Sequence, residues 1–187
     1  MNEADYFTEL QALIDSRLFQ VLTGVSGTYE IKEPGQALFE VNPVGLTSHK
    51  GVRMERLTAS AWAFFKNPHP HAHRRCDLIV LSWDRQRNQP VCLLMELKTQ
   101  ASSGAWTQLQ ASLAFCQYMH HMLCINKPAI KVLRVGAVAI KKLPFAQKML
   151  SRPTLPTWNK GRGLDCPYMI YDRSTSGLPL RALIQSL

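Results

Sequence analysis

Two short hydrophobic runs separated by a charged connection dominate the patterning of this chain. Cys76-Asp77-Leu78-Ile79-Val80-Leu81-Ser82-Trp83 and Val91-Cys92-Leu93-Leu94-Met95-Glu96-Leu97-Lys98 are rich in branched residues and bounded by polar breakers, as buried strands are. Asp84 to Pro90 is polar and ends in proline, which predicts an antiparallel hairpin with an exposed connection. After a polar break from Thr99 to Gly104, Ala105 to about Leu123 continues at helical period without Pro or Gly, with Ser102 or Ser103 as its cap. Trp106, Leu109, Leu113 and Cys116 form its apolar seam. Phe115, Met119 and Met122 widen that seam until the helix reads as largely buried, with Gln108 inside the arc and Gln110 nearer its polar edge. A buried glutamine requires a partner.

The flanking segments complete a mixed pattern. Asp5 to Leu22 carries Phe7, Leu10, Leu13, Ile14, Leu18 and Val21 on one seam with Gly24 beyond, which predicts a helix. Thr28 to Lys32 and Ala37 to Val41 read as strands about the turn Glu33-Pro34-Gly35. Leu57 to Phe65 reads as a short helix or an aromatic core segment. Lys131 to Ile140 predicts a strand and Pro167 to Tyr171 a weaker one, while the Pro- and Gly-punctuated stretch Leu143 to Leu164 reads as a long irregular segment suited to embracing a substrate or partner. The sum is one mixed α/β domain over residues 1–187, with a central mixed sheet flanked by helices. A chain of 187 residues suits a single domain with a sizeable core.

The hairpin carries the candidate chemistry. Side chains alternate along a strand, so Glu96 and Lys98 leave one face of the second strand, and closing the hairpin brings Asp77 beside them. Burying two carboxylates and an ammonium in an apolar strand pair costs several kcal/mol unless the groups are paired or hold a metal. The alternative is an ordinary amphipathic hairpin, with Asp77 capping a loop and Glu-x-Lys on a solvated face. Against it, Val91 to Met95 is apolar on both faces. Glu30-Ile31-Lys32 repeats the Glu-x-Lys pattern but is ended at once by Pro34-Gly35, with no aspartate-bearing apolar strand before it, and reads as a chance match.

Asp77 on one strand and Glu96-Leu97-Lys98 on the next resemble the signature of the PD-(D/E)xK nuclease superfamily, with Cys76 where the nominal proline stands. The resemblance implies a restriction-endonuclease-like core and divalent cations held by Asp77 and Glu96 with the backbone carbonyl of Leu97. It implies too that Lys98 orients or activates the attacking water and offsets charge on the scissile phosphate. The helix after Glu-x-Lys often extends a glutamine toward such a site, which nominates Gln108, with Gln110 as second choice; a core glutamine bonded to backbone is the alternative. The first helix often presents a glutamate, which nominates Glu9 over Glu3, against the alternative of a solvated helix glutamate. Oxygen ligands point to Mg²⁺, with Mn²⁺ as a substitute.

Charge fits a polyanionic partner. The formal net charge is +9, with basic residues near the motif at His73, Arg74, Arg75, Arg85 and Arg87 and again at Lys141, Lys142, Lys148, Arg152, Lys160 and Arg162. Such a balance raises affinity for nucleic acid through phosphate neutralisation, although a solvated basic face has the same composition. Pro68-His69-Pro70-His71-Ala72-His73 is an extended, proline-punctuated tract rather than a zinc-ligand spacing. The five cysteines lack a Cys-x-x-Cys pair and read as reduced core residues; Cys116 with His120 or His121 as a nucleophile pair is the remote alternative. No hydrophobic run approaches membrane-spanning length, so a cytoplasmic protein is expected. The expected function is a Mg²⁺-dependent nuclease acting on DNA. The alternatives are RNA as substrate, or a non-cleaving nucleic-acid-binding or assembly subunit of a DNA-processing or defence complex that keeps the fold. A homodimer would bring two sites to two strands.

Overall fold

In the computed structural model, residues 2–14, 16, 19–20, 28–31, 39–43, 46, 49–53, 75–98, 104–141, 157–172 and 178–187 are described. Their order is α1 (Glu3–Leu13), β1 (Phe19–Gln20), β2 (Tyr29–Ile31), β3 (Phe39–Asn42), β4 (His49–Arg53), β5 (Leu78–Asp84), β6 (Gln89–Lys98), α2 (Gly104–Asn126), β7 (Arg134–Lys141), β8 (Asn159–Gly161), β9 (Leu164–Asp172), β10 (Leu178–Pro179) and α3 (Leu180–Ser186). A seven-stranded sheet in the order β1-β4-β5-β6-β7-β9-β8 forms the centre, and a second sheet, β10-β3-β2, lies beside it. The main sheet is mixed: β4, β5 and β6 pair antiparallel, whereas β6, β7 and β9 pair parallel. The parallel β6–β7 step needs a crossover, which α2 supplies. A mixed α/β domain with a central sheet flanked by helices is thus the architecture.

The apolar runs are central because both sheet faces are covered. Every residue of β5 is buried, as is β6 between its two half-buried ends. On one face Ile79, Leu81, Trp83, Cys92, Leu94, Ala137, Ala139 and Cys166 pack beneath α1 and α2. On the other, Leu78, Val80, Leu93, Met95, Leu97, Val138 and Met169 pack beneath β2, β3 and α3. Gly51 permits that second layer: a Cβ there would stand 2.5 Å from the Tyr29 ring. The Tyr29 hydroxyl is 2.6 Å from His49 Nδ1, which ties the small sheet to β4.

Several predicted boundaries move. The first helix ends at Leu13, not Leu22, because Ile14 is extended, and Phe19–Gln20 pairs with Val52 and Gly51 as a strand. Its start is fixed by a capping box in which the Asn2 side chain accepts from Asp5 N–H at 2.9 Å. The helix after the hairpin is only half covered: Leu109, Leu113, Cys116, Met119 and Leu123 are buried, but Tyr118 and Ile125 are each 61% exposed. The irregular segment ends in order, since Asn159–Gly161 and Leu164 belong to the β8–β9 hairpin. Leu57 to Phe65, the histidine tract, and Ser102 and Ser103 lie outside the described residues.

The β8–β9 connection is a two-residue turn, Arg162-Gly163, between the paired Gly161 and Leu164, and a turn this tight takes positive φ at both positions. Arg162 adopts φ 58° between Gly161 at φ 114° and Gly163 at φ 71°. A left-handed conformation costs a side-chain-bearing residue about 1–2 kcal/mol. The Arg162 guanidinium lies 5.6 Å from the Trp106 ring centroid, and an exposed cation–π contact returns only about 0.5–1 kcal/mol. The contact at most offsets that cost, so Arg162 adds no net stability to the turn.

Candidate active site

Asp77 sits one residue before β5, and Glu96 and Lys98 lie near the end of β6, where the hairpin register Leu78↔Met95 brings the strands together. The Asp77 backbone N–H donates to Glu96 Oε2 at 3.1 Å, and the Leu97 N–H donates to Asp77 Oδ2 at 2.7 Å. Each carboxylate thus accepts a main-chain bond from the other strand, which fixes their separation. Lys98 Nζ forms an ion pair with Glu96 Oε1. Glu96 is fully buried, whereas the Lys98 side chain retains 20% of its exposure. All three leave the face covered by α1 and α2, alternating with Leu97 on the other face.

Asp77 extends the β5 ladder by substituting its side chain for a strand partner. In an antiparallel pair the N–H and C=O of one residue address the same neighbour. The Leu97 N–H meets Asp77, so the Leu97 carbonyl is directed to that side as well. The two carboxylates, with the Leu97 carbonyl on the same edge of its strand, are oxygen donors of the kind a hard divalent cation takes together with water. Among the described residues no group of three or more His, Cys, Asp or Glu side chains forms a metal cage. Mg²⁺ is commonly held by one or two protein carboxylates, so that finding does not decide its binding.

The α2 residues act on the backbone before Asp77. Gln108 Nε2 donates to the Arg75 carbonyl at 3.0 Å, and Ser112 Oγ accepts the Cys76 N–H at 2.8 Å. Gln108 thereby satisfies main chain, while Gln110 is exposed on the far side of the helix. Ser112, fully buried, is a residue that neither the motif nor the resemblance nominates. A serine inside an otherwise apolar helical stripe was the available signal. Ser112→Ala should strand the buried Cys76 amide and lower stability by about 1–3 kcal/mol, measured by urea denaturation.

Glu9 is not brought to this site. Its carboxylate lies 3.4 Å from Lys127 Nζ, just beyond the C-terminal end of α2, whereas Ser112 marks the Asp77 end. At 1.5 Å per residue, the helix from Ser112 to Asn126 separates the two by about 20 Å. Glu3 is likewise engaged elsewhere, accepting from Arg85 Nε at 2.8 Å beside the hairpin turn. The early end of α1 and the packing of Tyr6 on Trp83, 5.5 Å between ring centroids, hold that helix at the turn end of the hairpin.

All five cysteines are free thiols. Burial raises the Cys76 and Cys116 thiols well above their ordinary range. His120 Nε2 is 3.5 Å from Cys124 Sγ, and burial lowers that imidazole while raising the Cys124 thiol. Both shifts oppose a thiolate–imidazolium pair. No helix among the described residues is long and apolar enough to cross a membrane. Comparison of the chain with protein-family profiles, with curated proteins and with solved structures finds no match.

Proposed function

We propose that the chain is a divalent-metal-dependent nuclease that hydrolyses phosphodiester bonds in DNA. The observation that carries the reading is the mutual bracing of Asp77 and Glu96 with Lys98 on the same carboxylate, at the edge of an otherwise apolar strand pair. The sequence resemblance to PD-(D/E)xK nucleases and the net charge of +9 support it. Asp77, Glu96 and the Leu97 carbonyl would hold Mg²⁺ or Mn²⁺. When bound, such a cation polarises the phosphate and acidifies water.

The chain's own groups do the rest. Main-chain bonds to both carboxylates preset their spacing, so little reorganisation accompanies substrate binding. Lys98, partly exposed beside Glu96, is placed to orient water and to offset charge developing on the phosphate. Water oxygen adds to phosphorus as the bond to the leaving sugar oxygen breaks, giving a phosphomonoester and a hydroxyl. Free thiols suit a cytoplasmic setting for this activity.

One observation favours a second reading. Lys98 already engages Glu96, as in a closed structural ion pair, which suits a binding or assembly subunit that does not cut. Incubating supercoiled plasmid, labelled single-stranded DNA and labelled RNA with the purified protein in Mg²⁺, Mn²⁺ or EDTA separates the two. Metal-dependent products are expected, and the sugar preference identifies the substrate; a folded protein that binds DNA without cutting it in either metal would establish the second reading.

A further inference from the structure

The β8–β9 turn and the first turn of α2 form a surface apart from the paired carboxylates. Lys160, Gly161, Arg162 and Gly163 are exposed, and a Cβ built on either glycine would meet nothing within 4 Å, so the tip stands clear of surrounding protein. The Arg162 guanidinium covers the Trp106 indole at 5.6 Å, and Trp106 packs edge-to-face on Tyr168 with centroids 5.0 Å apart and planes at 71°. Both rings are half-buried, so their undersides are fixed against the core while their outer parts face solvent. The two-residue turn between the paired Gly161 and Leu164, with positive φ at Arg162 and Gly163, holds the guanidinium over the indole.

We infer that Trp106, Arg162, Tyr168 and Lys160 form a stacking subsite for single-stranded polynucleotide. The inference rests on the nucleic-acid reading of the neighbouring site. An unpaired base stacks on a guanidinium or an indole whatever its identity, and its phosphate meets the adjacent lysine. A duplex keeps its bases stacked internally and offers this surface only phosphates. The placement suits a strand running to the carboxylates. Tyr168 is paired with Ala137, and Ala137 with Leu94, two residues before Glu96 on the same strand. Two strand spacings across and two residues along amount to roughly 12 Å. That is a span of a few nucleotides around the start of α2.

The test measures binding rather than turnover. Anisotropy of fluorescein-labelled oligo-dT, oligo-rU and a blunt DNA duplex is followed with full-length protein in EDTA, for wild type, Arg162→Gly and Trp106→Leu. Arg162→Gly removes the cation and also relieves the left-handed backbone, so its melting temperature should be unchanged or higher. Single-strand affinity should fall about tenfold in both variants while duplex affinity stays within about twofold. A loss confined to dT or to rU supports the subsite and identifies which of the two strands it takes, and oligo-dU then separates the sugar from the thymine methyl. Unchanged single-strand affinity, an equal loss on duplex, or a lower melting temperature of Arg162→Gly with binding intact would overturn the inference. Single-strand binding lost in these variants from a protein that cuts nothing leaves the subsite standing and removes the nuclease reading. Metal-dependent cleavage with unaltered affinity in Arg162→Gly does the reverse.

Discussion

Glu96→Gln should abolish metal-dependent cleavage, by about 10³-fold or more, while leaving the fold intact. The substitution keeps the shape of the side chain and an acceptor for the Asp77 N–H but removes the charge that a cation and Lys98 both require. Lys98→Met should retain DNA binding and lose turnover, because the methylene stem is kept and the ammonium is not. The double variant separates function from folding. Removing one member of a buried ion pair strands the other, whereas removing both charges leaves neither uncompensated. Glu96→Gln/Lys98→Met should therefore melt closer to the wild-type temperature than Lys98→Met alone, yet cut nothing. A double variant that is inactive and also much less stable would mark the pair as structural. Plasmid cleavage and thermal denaturation on the same preparations read both quantities.

The hairpin was legible because its two signals are local and agree. Continuous apolar runs specify buried strands, and period-two alternation then places Glu96, Lys98 and Asp77 on one face. What escaped the sequence depends on contacts distant along the chain. His49–Arg53 reads as polar, and becomes a strand because Val52 is buried under α1 and Gly51 admits the Tyr29 ring. The resemblance nominates Glu9 only by its position on a helix. Periodicity gives the buried face of a helix but not which end of the sheet it crosses, and Lys127 holds Glu9 at the other end. Periodicity puts Gln108 within the apolar arc of its helix, but only the fold shows that its donor meets a carbonyl. The β2 and β3 strands were legible about their turn signal, but not the parallel pairing of β3 with β10, which comes from the far end of the chain.

Asp84 shows how much a residue read as part of an exposed connection can hold. It closes β5, is 4% exposed, and accepts from Gln86 N–H at 3.0 Å, Arg87 N–H at 3.3 Å, Arg87 Nη1 at 3.0 Å and Arg134 Nη1 at 2.8 Å. The last bond joins the hairpin turn to the start of β7, fifty residues later. Burial alone would raise the Asp84 carboxyl, but the Arg87 side chain and the turn amides outweigh it and hold the group below its ordinary value. A carboxylate depressed on folding contributes stability that is complete above its unfolded pKa of about 3.9 and is lost as pH falls through the folded value. Asp84→Asn should therefore lose about 2–3 kcal/mol at neutral pH, since charge-assisted bonds weaken and Arg134, 19% exposed, keeps its charge without a counterion. The deficit relative to wild type should shrink steadily below about pH 4, where the wild-type carboxylate protonates as well. Urea denaturation of both proteins across that range measures it. A deficit independent of pH would assign the loss to geometry at the turn rather than to the charge.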